Sequence, residues 1–148
     1  MIETIQDAII AQLEKIDTVG GRVGVWQGDV EDLLKTPQRL PCLAVIYLGA
    51  DFDAKKVLGV NRADHTMDFL IVAIAKNVKS REEGASTAYT IIEDVRSYLI
   101  GFKVSPYGFL WPVKEDLVLA AGGLLAYGLN YRIRTELIAT EPPADPAP

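Results

Sequence analysis

The chain has 148 residues, of which 24% are charged and 49% hydrophobic, and its formal net charge is −5. This length and mix suit one globular core without a covalent staple and exclude a fibrous or largely disordered chain. The acidic balance argues against a dedicated nucleic-acid binder, which neutralises phosphates with a basic face. Cys42, the only cysteine, leaves no intrachain disulfide and no thiolate metal cluster.

The first segment, MIETIQDAII, opens with acidic residues and lacks the cationic start and cleavage site of a secretory signal. Together with the absence of an ~18-residue apolar run, this gives the expectation of a soluble intracellular protein. Ile2, Ile5, Ile9, Leu13 and Ile16 recur at steps of three and four, which predicts an amphipathic helix ended by Gly20-Gly21. Residues 22–27, RVGVWQ, alternate as a short strand. Asp29 can cap a brief helical turn that must stop before Pro37.

Residues 41–52, PCLAVIYLGADF, are apolar, β-branched and aromatic, the composition of a central strand. The flanks of Cys42 suggest a buried thiol that packs as a small hydrophobe. Residues 53–64 read as a hairpin loop or projecting arm. HTMDFLIVAIAKN, from His65, then alternates before becoming continuously apolar, as a strand does on entering a covered core. A loop of about a dozen residues between these two long strands gives the expectation that they pair antiparallel.

Ser80-Arg81-Glu82-Glu83 has the spacing of a capping box, and Ala85, Ala88, Ile92, Val95 and Leu99 form the stripe of the helix that follows. Gly101 suits its C-terminal cap. Residues 109–119 predict a strand with Pro112 at an edge or a bulge. After Gly122-Gly123, the stretch LLAYGLNYRIRTEL alternates at period two. Leu125, Tyr127, Leu129, Tyr131, Ile133 and Leu137 line one side, and Gly128, Asn130, Arg132, Arg134 and Glu136 line the other.

The order of elements predicts an α+β fold: a mainly antiparallel sheet with two long helices packed on one face. It places a single domain over residues 1–140. Residues 141–148, EPPADPAP, are half proline and predict a flexible tail.

No stretch carries an evident catalytic signature. His65, beside Asp64 and near Asp68, can be an acid-base pair or a polar residue at a strand entrance. Asp51, Asp53 and Asp64 offer oxygen to a hard cation, yet lack the spacing of a calcium loop. Gly20 to Gly24 has neither GxGxxG nor a GKS/T ending and reads as a turn. Lys76, Lys79 and Arg81 can meet an anion such as DNA or an acidic neighbour, or form a solvated turn. Asn130, Arg132, Arg134 and Glu136 can pair with another subunit or protect an edge strand by charge.

The opening helix IETIQDAIIAQL, the strands LPCLAVIYLGADF and DFLIVAIAKN, the helix AYTIIEDVRSYL before Gly101 and the closing LLAYGLNYRIRTEL resemble the tail terminator proteins of Mu-like and related contractile-tailed phages. The resemblance covers about residues 2–139. It implies a virion subunit, assembled in the host cytoplasm, that forms a homo-hexameric ring at the head-proximal end of the tail. Such a ring stops growth of tube and sheath, offers a docking surface to neck and connector proteins, and lets DNA through without specific binding. It implies no enzymatic reaction, no cofactor, no metal and no membrane. The interface residues expected are Lys79, Arg81, Asn130, Arg132, Arg134 and Glu136. A different neck or tail connector protein is the alternative within the class, and a small ligand- or nucleic-acid-binding module the alternative outside it.

Overall fold

The computed structural model describes residues 1–52, 62–76 and 81–138. The 53–64 arm falls mostly outside these residues, as do Ser80 of the capping box, Lys79 and the proline-rich tail.

Helix α1 (Ile2–Leu13) is followed by a single 3-10 turn, Asp17–Val19, and by the short strand β1 (Val23–Val25). Helix α2 (Val30–Lys35) leads to β2 (Cys42–Phe52) and β3 (Arg62–Lys76). Helix α3 (Arg81–Leu99) precedes β4 (Lys103–Val104), β5 (Gly108–Ala121) and β6 (Leu124–Ile138). The strands form one six-stranded sheet in the order β1-β2-β3-β6-β5-β4.

This corrects the expectation of a mainly antiparallel sheet under two long helices. Strand accounts for 48% of the described residues, the sheet is curled and mixed, and of the three helices described only α3 is longer than 12 residues. β1 runs parallel to β2. The physical reason lies in their connection. Parallel neighbours need a crossover of a dozen or more residues, and residues 26–41, which include α2, provide it.

The helices also divide between the two faces. The stripe of α1 packs with Val95 and Leu99 of α3 against Leu43, Val45, Phe69, Ile71, Leu129 and Tyr131. On the opposite face, Leu33 of α2 packs with Cys42, Ala44, Ile46, Val72, Ile74 and Ala126. Residues 42–46 and 71–75 are therefore buried on both sides, which explains their unbroken apolar runs. Full burial of a side chain such as Ile9 contributes roughly 1.5–3 kcal/mol.

β5 and β6 join through Gly122 and Gly123, whose φ angles of 62° and 78° suit a two-residue hairpin with positive φ at both positions. β5 carries register shifts between Pro112 and Lys114 and between Leu117 and Leu119. Pro112 thus sits where a missing amide is tolerated, on a strand bordered by β4 only at its beginning.

Candidate interaction surface on the uncovered sheet face

α2 covers one face only where β2, β3 and β6 begin their apolar halves. Beyond Leu70 and Gly128 no other described element covers the same face, and alternation brings the polar residues of three strands onto it. Arg132 sits opposite Asp68 of β3 and Trp111 of β5. Its Nε donates to Asp68 Oδ1 at 2.9 Å. Arg134 Nη2 lies 3.7 Å from Asp64 Oδ2, and Lys114 Nζ lies 3.3 Å from Asp116 Oδ2. Asn130 is half-buried with an Oδ1 that meets no donor.

Arg132 and Arg134 lie on β6, which is flanked by β3 and β5. The charge row therefore does not protect an edge strand. Gly128, expected on the wet side, is buried, and a Cβ there would approach Val118 Cγ2 at 3.2 Å and Leu70 Cδ1 at 3.3 Å. The open face begins only at Asn130. Glu136 pairs in register with Asp64.

Arg81 opens α3, and Lys79 lies outside the described residues. Lys76 ends β3 eight positions from Asp68, roughly 26 Å at the rise of a strand.

His65 is 4% exposed and faces the helix side, stacked on Phe52 with ring centroids 5.2 Å apart. Asp64 and Asp68 alternate to the other face, so the sheet separates His65 from both carboxylates. Asp51 is exposed opposite Thr66, and Asp53 is outside the described residues. Among the described residues no three His, Cys, Asp or Glu side chains are grouped to hold an ion.

β5 carries the feature that sequence reading missed. Five of the eleven large apolar side chains exposed among the described residues lie on it: Phe109, Trp111, Val113, Leu117 and Val118. Past Leu110 this strand has no neighbour on its outer side among the described residues. The available signal was the run FLWPVKEDLVL, which puts apolar residues on both sides of a strand that contains proline.

Beside it, Arg96 of α3 grips Glu115 through both carboxylate oxygens, with Nε donating at 2.9 Å. Buried Tyr131 lies within the field of this pair, and its hydroxyl has no hydrogen-bond partner. Burial, reinforced by Glu115 and opposed by Arg96, pushes the phenol up to about 12. The face thus offers directional charge, one large indole and an open strand edge, which are the materials of a protein contact.

No protein-family profile and no curated protein matches the chain. Among solved structures, it is similar to a chain of the virion of a native gene transfer agent particle. The TM-score is 0.61 at 20% identity, over 89% of this chain and 94% of the other. The two chains share a fold. At that identity the likeness extends to the backbone arrangement along nearly the whole length of both.

Proposed function

We propose that this chain is a structural subunit of a phage-like particle: a tail terminator that closes into a homo-hexameric ring. The ring caps the tail tube, together with the sheath in a contractile tail, and presents a docking surface to the neck. The observation that carries this reading is the nearly end-to-end likeness to a chain of a gene transfer agent virion. The open polar face and the exposed β5 edge support it, because a ring requires two unlike patches on each subunit. A net charge of −5 suits a passage through which DNA slides, since like charge disfavours adhesion. In this role the protein acts by assembly and performs no reaction. A connector of the neck with the same fold is the second reading, because the likeness is to a component of a particle and not to a position within it.

Native mass spectrometry and electron microscopy of the full chain, with and without tail tubes, provide the test. Hexamers with a central opening that bind tube ends are expected. A protein that stays monomeric at high concentration and ignores tube ends refutes the terminator.

A further inference from the structure

The sheet has two open ends of different character. At one end, β5 bears Trp111, which at 63% is the most exposed of the large apolar side chains among the described residues. At the other end, a cleft of about 330 Å³ lies beside β1. Its apolar wall includes Val23, Val25 and Trp26, and it contains Arg22 and Arg39 but no carboxylate. Arg22 is held in place, with Nε donating to Pro41 O at 2.8 Å.

We propose that Trp111 of one copy seats in the β1 cleft of the next copy, as the knob of the subunit contact; this rests on the ring reading above. Two observations select a second copy as the occupant. The cleft has the volume for an indole, and its guanidinium groups are attracted to an aromatic face. Trp111 and the cleft's Cys42 and Ala44 lie on the same sheet face, three strand spacings or roughly 14 Å apart across the sheet. Copies placed side by side keep that face on one side, the geometry of a head-to-tail ring.

The area agrees. The half-exposed side chains on β5 present on the order of 500 Å² of apolar surface, more than half of the ~800 Å² that each partner gives to a standard interface.

Two variants of the full chain test the contact. Trp111→Glu removes the knob. Gly24→Glu blocks the cleft from a position where an added Cβ meets nothing within 4 Å. Each variant should keep the wild-type unfolding midpoint and weaken self-association about 30-fold or more. Mixed in equal amounts they should form dimers but no rings, because one intact knob meets one intact cleft. Rings from either single variant, or a mixture that stays monomeric, overturn the contact while leaving the ring reading intact. A monomeric wild type overturns both.

Discussion

Arg132 Nε donates to Asp68 Oδ1 at 2.9 Å, across two strands that both lie inside the sheet. The side chains remain 46% and 18% exposed, so solvent screens the pair and it adds little to folding. Its value is directional: it fixes a guanidinium on an open face beside Trp111.

A double-mutant cycle on Asp68→Ala and Arg132→Ala should therefore return a coupling below about 1 kcal/mol in chemical denaturation. Arg132→Glu combined with Arg134→Glu should impair assembly more than folding. The swap Asp68→Arg with Arg132→Asp restores the pair while reversing its polarity. Intact rings from the Glu variant would remove this row from the interface.

Gly108 opens β5 between β4 and β6, at a point where no side chain fits. Its φ is 150°, and a Cβ would lie 2.7 Å from the Arg134 backbone oxygen. Gly108→Ala should cost about 1–3 kcal/mol, read as a lower urea midpoint. Gly24→Ala, with open space around the new Cβ, is the control and should shift the midpoint little.

Burial raises the Tyr131 phenol from its ordinary 10.0 to about 12. Below pH 10 both folded and unfolded states hold the proton, and the contribution is constant. Between pH 10 and 12 the unfolded chain loses its proton first, so stability falls as pH rises. Tyr131→Phe should lose less stability over that window than the wild type. At neutral pH it should be equal or more stable by up to about 1 kcal/mol, because a hydroxyl without a partner is gone. Parallel declines for the two proteins would contradict this.

Cys42 is 5% exposed, and burial pushes its thiol up, with Arg22 opposing more weakly. A thiol-specific reagent should label it slowly in the folded protein and rapidly in denaturant. Fast labelling of the native protein would show that the region around β2 and α2 opens.

Several parts of this architecture are written in local sequence because they depend on period and turn chemistry. The stripe from Ile5 to Leu13, the runs that became β2 and β3, and the Gly122-Gly123 hairpin follow from neighbours a few residues apart. Their antiparallel pairing follows from a short connection. The place of Pro112, at a bulge on an outer strand, follows from its missing amide.

Other decisions needed the assembled sheet. Whether β6 is an edge or an interior strand depends on which strands settle beside it, and its own alternation is the same in both cases. The side taken by α2, and with it the burial of Gly128 and the opening of the face at Asn130, depends on a crossover whose direction no local pattern encodes. Alternation along β3 put His65 and Asp64 on opposite faces, so adjacency in sequence became separation by a sheet. The exposure of Trp111 and the cleft beside β1 belong to opposite ends of that sheet. Sequence alone determined the elements and their inner faces, because burial imposes a period on each segment. Tertiary structure alone decided which outer faces stay open, because that is a property of neighbours distant in the chain.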